Sequence, residues 1–144
     1  MTYFEGKQTM GKIDAARVWS LNYRLLMSVI TGVARDIAAL GLEPKELFLL
    51  GALDEHPHPA ELATELCIPK PTVSVTVKRL QAAGMLRRQI DPHDLRRHRL
   101  TLTAVGRKAM TRGMKLLSQA FGARLERLNA NERSQLAATL EKLN

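Results

Sequence analysis

The sequence predicts a mainly α-helical chain carrying one small β-hairpin. Three observations predict it. An apolar seam at helical spacing runs near the start, and a second lies near the end. Between them, a short stretch alternates apolar and polar residues and is preceded by a polar run.

The first element is a helix over about 13–40. Trp19, Tyr23, Leu26, Ile30, Val33, Ile37 and Leu40 follow one another at steps of three and four, which is a heptad seam. Val18, Leu21, Leu25 and Val29 add a second stripe beside it. A helix apolar over more than one stripe needs more than one neighbour, so a partner subunit is expected to cover it. Gly41 ends this helix, and Pro44 opens the next over about 44–55, with Leu47, Phe48, Leu50 and Leu53 apolar. His56, Pro57, His58 and Pro59 break the chain. A short helix over 60–66 then turns Leu62, Ala63 and Leu66 inward. Residues 67–69 form a tight connection, and Pro71 starts a helix over 71–83 that Gly84 closes. Strands are expected at about 85–90 and 99–102, with Leu100 and Leu102 facing in; the stretch 91–98 between them is too polar for a core and long for a tight turn, and reads as a protruding β-hairpin, a wing. Thr103 caps a helix reaching about residue 128, striped by Met110, Met114, Leu117, Phe121, Leu125 and Leu128. Asn129 with Glu132 reads as a capping box for a last helix, which has Leu136, Leu140 and Leu143 on one face. Short helix, turn, second helix and protruding hairpin together make a winged helix-turn-helix over 42–103. It is flanked by an N-terminal helical segment over 1–41 and C-terminal helices over 104–144.

Charge falls on the same segment. Residues 70–108 hold ten basic side chains and two acidic ones, Asp91 and Asp94, so this stretch carries the +8 of the whole chain. The remainder is neutral. A basic patch confined to one segment of a balanced chain implies a polyanion-binding surface rather than a generally charged exterior.

Several classes are excluded or disfavoured. Aromatic residues make up 4% of the 144 residues, too few for the stacking platforms of single-strand binders. The opening MTYFEGKQTMGK lacks the charged-then-apolar order of a signal peptide. The longest apolar run, 47–53, is far short of the roughly 20 residues that span a bilayer, so a soluble cytoplasmic protein with no membrane partner is expected. Cys67 is the one cysteine; it reads as a packing residue among apolar neighbours, with a redox role the alternative. His56, His58, His93 and His98 form no metal-binding spacing, and no nucleophile, phosphate-loop or dinucleotide motif occurs. Neither a cofactor nor an enzymatic activity is expected. The readings that compete with duplex DNA binding are a winged-helix module for an acidic protein partner and a module for structured RNA.

On the helix from Pro71, Val73, Val77 and Leu80 share one face and should pack inward. Thr72, Val75, Thr76 and Arg79 lie on or near the other, where short side chains reach base edges and thymine methyls in a major groove. Lys78, and Lys70 at the helix start, suit phosphates. Ser74 belongs to either set. The alternative for Thr72 and Thr76 is an ordinary solvated face.

Three passages carry a resemblance across nearly the whole chain: LEPKELFLLGAL, AELATELCIPKPTVSVTVKRLQAAGMLRR and DPHDLRRHRLTLTAVGRKAM. In the last, Asp94 and Arg96 form an Asp-x-Arg followed by Leu102-Thr103 and Gly106. Together, in this order, they resemble the MarR family of bacterial transcription regulators. The resemblance implies a homodimer with interleaved terminal helices that binds duplex DNA at a palindromic operator, usually as a repressor. Two recognition helices would then enter successive major grooves about one turn apart. It places Arg96 at the wing tip for a minor groove, with Arg97 replacing or assisting it, and leaves Asp94 to brace the wing through a neighbouring arginine. Arg87, Arg88 and Arg99 are either backbone contacts or solvated. A small aromatic or acidic effector is also implied where the long helices meet the DNA-binding lobe. Trp19, Tyr23, Met27 and Phe48 are candidates to line that site and Arg17 to pair a carboxylate; for Trp19 and Tyr23, plain seam packing is the alternative. The family's peroxide-sensing branch uses a cysteine near the start of the first long helix, and none stands there in this chain.

Overall fold

The computed structural model describes Thr9–Met10 and residues 13–144. Most of the opening segment read above for a signal peptide lies outside the described residues. A two-residue hairpin pairs β1 (Thr9–Met10) with β2 (Ile13–Asp14). Asp14 Oδ1 then accepts the N–H groups of Ala16 at 3.0 Å and Arg17 at 3.3 Å and starts α1 (Ala15–Ala38). The remaining helices are α2 (Pro44–Ala52), α3 (Pro59–Glu65), α4 (Lys70–Ala82), α5 (Ala104–Leu125) and α6 (Ala130–Leu143). Strands β3 (Leu86–Asp91) and β4 (Asp94–Leu102) form one antiparallel hairpin between α4 and α5.

The chain divides into two compact units. One comprises residues up to Val33 together with Ala120–Asn144; the other is Ala34–Gln119 and contains the whole of the 42–103 segment.

In the second unit, local chemistry sets most element ends. Pro44, Pro59 and Pro71 stand in the first turns of α2, α3 and α4, where a missing N–H costs nothing. Gly84, at φ 72°, ends α4 in the left-handed region that a side chain disfavours. Thr103 Oγ1 accepts from Gly106 N at 3.0 Å, capping α5 as expected. Gly106 is required for a different reason: a Cβ there would collide with the carbonyl oxygen of Met85. The core gathers one face from each element: Leu47, Leu49 and Leu50 of α2, Leu62 of α3, Val73, Val77 and Leu80 of α4, Leu86 of β3 and Leu100 of β4. Leu102, expected inward, is only half-buried.

In the first unit, Asn129 and Glu132 exchange backbone-to-side-chain bonds at 2.9 and 3.0 Å, the capping box read from the sequence. Arg133 of α6 donates to the carbonyls of Leu125 and Leu128, closing the C-terminal end of α5. The N-terminal half of the α1 seam stays uncovered. Val29 and Val33 are buried, whereas Trp19 is 59% exposed, and Val18, Leu21, Tyr23, Leu26 and Met27 are exposed with it.

Two expectations are corrected. The stretch 91–98 is a hairpin as read, but the second strand is longer than expected: β4 begins at Asp94 rather than near Arg99, and only Pro92 and His93 separate the strands. A hairpin that protrudes into solvent can be polar on both faces, so polarity there did not exclude strand. Cys67 is exposed rather than packed; it turns the chain between α3 and α4 at φ 54°. Among the described residues, no helix is long and apolar enough to cross a membrane.

Candidate nucleic-acid interface

Helix α4 presents a solvent-facing strip of Lys70, Pro71, Ser74, Val75, Lys78 and Arg79, with Thr72 half-buried at its edge. Its opposite face is held down by Val73, Val77 and Leu80. Ser74, left open by the sequence, falls on the exposed side.

Two residues expected on the reading face are engaged within the chain. Thr76 is 5% exposed, and its hydroxyl donates back to the Thr72 carbonyl at 2.8 Å. It lies beside Val73, Val77 and Leu80 on the helical projection, close enough to their stripe to be drawn into the core. Arg79 is exposed along its length, but its guanidinium is engaged. Nε donates to Glu46 Oε2, and Nη2 donates to the Gly41 carbonyl at 3.0 Å. Glu46 is 2% exposed; its other oxygen accepts the Glu43 N–H at 2.7 Å, at the start of α2. One buried carboxylate thus caps α2 and moors α4. The hydrogen bond that Arg79 donates to Glu46 holds its guanidinium above its ordinary pKa, against the opposing effect of desolvation.

The wing is moored as well. His58, buried ahead of α3, sets Nε2 3.2 Å from Asp91 Oδ2 and Nδ1 3.1 Å from the His98 carbonyl. Both ring nitrogens face acceptors, so a neutral ring satisfies one bond and an imidazolium both. Leu100 N donates to the Pro57 carbonyl at 2.8 Å and pins β4 to the same loop. Asp91 Oδ1 accepts the His93 N–H at 2.8 Å across the turn. That bond, and behind it the charges of His58, His93 and Arg99, hold the Asp91 carboxyl below the ordinary carboxylate range, although burial acts the other way. The sequence treated His58 and Asp91 as unrelated. They lie far apart in the chain, with no spacing rule to join them.

Asp94 braces the wing through the main chain: its Oδ1 accepts the Arg96 N–H at 3.0 Å, not an arginine side chain. The register of the hairpin is irregular between Ile90 and Asp91, with Ile90 opposite His98 and Asp91 opposite Asp94. Leu95, Arg96 and Arg97 therefore occupy the extra length at the tip. Arg96 is exposed and its side chain has no partner among the described residues. Arg97 donates to Glu61 at 3.1 Å, an exposed pair that water screens. Arg87, Arg88 and Arg99 are exposed on the strands.

The expected effector residues of α1 do not all line one groove. Tyr23 and Met27 line a groove along α1 with Ser20, Arg24, Ser28, Thr31 and Gly32. Trp19 is not in this lining, although its ring lies 6.4 Å from that of Tyr23, and Arg17 is not in it either. Phe48 is half-buried on α2, in the other unit. Among the described residues, no group of three or more His, Cys, Asp and Glu side chains is placed to hold a metal ion.

A moored second helix with an exposed basic strip, followed by a two-stranded wing, defines a winged helix-turn-helix protein. The MarR family model matches residues 40–97, which span α2 to the wing. An HTH-type transcriptional repressor of Mycobacterium tuberculosis is 29% identical over 136 residues, covering 93% of this chain and 98% of the relative. The solved structure of the transcriptional repressor CouR bound to a 23-mer DNA duplex is 26% identical, with a TM-score of 0.73 over 92% of this chain and 99% of that one. A MarR transcriptional regulator from Methanosarcina mazei, 21% identical, shares the fold at a TM-score of 0.79 over 88% and 93% of the two chains. The chain is thus similar to the MarR family from α2 to the wing, and shares the fold of its solved members.

Proposed function

We propose that this chain is a homodimeric, sequence-specific repressor that binds double-stranded DNA at a palindromic operator. The observation that carries the reading is the coincidence of charge and geometry. The exposed strip of α4 and the exposed Arg96 of the wing both fall in the segment that holds the net +8. In this reading α4 enters the major groove, Lys70 and Lys78 contact phosphates, and Arg96, assisted by Arg97, enters the minor groove. Thr72 and Val75 face the bases. Arg79 and Thr76 hold the helix in place. The names of the M. tuberculosis relative and of CouR, a repressor seen on DNA, support the assignment.

Dimerisation rests on the uncovered stripe of α1. Trp19, Tyr23, Leu26 and Met27 form a contiguous exposed apolar face that a second copy would bury, with Val18 and Leu21 exposed on the stripe beside it. Two-fold symmetry of the protein then matches two-fold symmetry of the site. Relief by a small aromatic or acidic effector belongs to the same proposal; Tyr23, Met27 and Arg24 supply aromatic, apolar and cationic contacts in the α1 groove. Repression follows by occlusion of a promoter in the cytoplasm.

Sedimentation of the protein with a short DNA duplex from its own upstream region, and with an RNA duplex of the same sequence, tests the reading. Two chains per DNA duplex, with the RNA left free, are expected. A preference for the A-form duplex, or a lone chain on each DNA, would overturn it.

A further inference from the structure

Removing Thr76 and Arg79 from the reading face changes its chemistry. The exposed strip of α4 is centred on Val75, which is 69% exposed. On a helical projection its flanks are Pro71 and Lys78 on one side, at i−4 and i+3, and Thr72 and Arg79 on the other, at i−3 and i+4. The Arg79 guanidinium, the group best suited to a bidentate contact with guanine, is bound to Glu46 and Gly41. The strip contains no asparagine or glutamine for adenine ahead of Gln81. What remains at the centre is a branched apolar side chain with one strongly preferred helical rotamer, set between an exposed proline and Lys78 on one side and Thr72 on the other. In the major groove, the apolar feature that distinguishes one base pair from another is the C5-methyl of thymine.

We propose that Val75 is a specificity-determining residue that packs on a thymine methyl at the centre of each half-site, so that the operator is read there by apolar contact rather than by a purine hydrogen-bond pair. This rests on the duplex-DNA reading above. Lys78 is flexible and strongly hydrated, and adds attraction with little base preference. Burying one methyl is worth about a fourfold change in affinity, hence about fifteenfold when both half-sites are altered.

The test starts from duplexes enriched on the full-length protein out of a random pool. Each thymine of the enriched site is replaced in turn by deoxyuridine, which removes the methyl and leaves every hydrogen-bonding group. One position per half-site is expected to lose about fourfold in affinity. Replacing that T·A pair by 5-methylcytosine·G should recover part of the affinity that unmethylated C·G lacks. In Val75→Ala the same deoxyuridine replacement should cost almost nothing, while binding to unselected duplex keeps the parental salt dependence. Val75 contributes nothing to the core and alanine favours helix, so this variant tests recognition rather than folding. A clearly enriched site that is indifferent to deoxyuridine at every thymine, or equally sensitive in Val75→Ala, overturns the inference and leaves sequence-specific binding standing. Failure to enrich any sequence overturns the DNA reading itself, and the inference with it.

Discussion

Replacing Arg79 by methionine separates its two conceivable roles. If the guanidinium moors α4, its loss leaves the Glu46 carboxylate in a 2% exposed site with the Glu43 N–H as its remaining partner. Breaking a fully buried ion pair costs about 3–5 kcal/mol, because a charge is stranded. Here the arginine side chain is 48% exposed, so water already shares the interaction and the expected loss is about 2 kcal/mol. For a chain of this length that is a fall in Tm of about 4–8 °C. The assay is thermal and urea unfolding followed by circular dichroism at a fixed protein concentration, since any assembly makes stability concentration-dependent. Adding Glu46→Gln removes the stranded charge while keeping an acceptor for the Glu43 N–H, and should recover more than half of the loss. The reasoning is refuted if Arg79→Met unfolds within about 0.5 kcal/mol of the parent yet loses its preference for one DNA sequence. That result would mean a free arginine that reads bases.

Three further outcomes follow from the same structure. Asp91 has a depressed pKa in the folded chain, so its stabilising contribution is complete above the ordinary carboxylate value of about 3.9 and is lost as pH falls through that value towards the depressed one. The stability gap between the parent and Asp91→Asn, read from urea midpoints, should therefore be open at pH 7 and close in acid; a gap unchanged down to about pH 3 would contradict this. Gly106→Ala places a methyl against the Met85 carbonyl and should cost about 1–3 kcal/mol in unfolding free energy, whereas an unchanged midpoint would mean that α5 is not seated there. Leu26→Glu puts a charge in the uncovered α1 stripe and should convert dimers to monomers in sedimentation, leaving helical circular dichroism of the Ala34–Gln119 unit intact.

The features legible in the sequence are those fixed by neighbours a few residues away. Pro44, Pro71, Thr103 and the Asn129–Glu132 pair mark helix starts because a cap or a missing N–H acts locally. The inward stripe of Val73, Val77 and Leu80 was equally plain from helical spacing. What escaped depends on partners distant in the chain. Arg79 looks like a reader until α2 brings Glu46 to it, and His58 looks like a loop residue until Asp91 and the His98 carbonyl meet its two nitrogens. Thr76 lies at the border between faces, where a small shift of helix packing decides burial. The extent of β4 was hidden because a projecting hairpin leaves Ile90 and Leu95 in solvent beside its charges, which erases the alternation that marks a half-buried strand. For the site as a whole, the sequence located the helix and the wing; it did not tell which side chains on them are free.

The most direct test of the central claim is the affinity of the purified protein for its own upstream duplex and for a scrambled duplex of equal length, measured by fluorescence anisotropy over a salt series, with Arg96→Ala alongside. The account predicts a preference for the upstream sequence of about a thousandfold or more, lost in large part in Arg96→Ala with unfolding unchanged. Equal affinities for both duplexes, each falling steeply with salt, would mean a basic surface without a sequence to read and would contradict it.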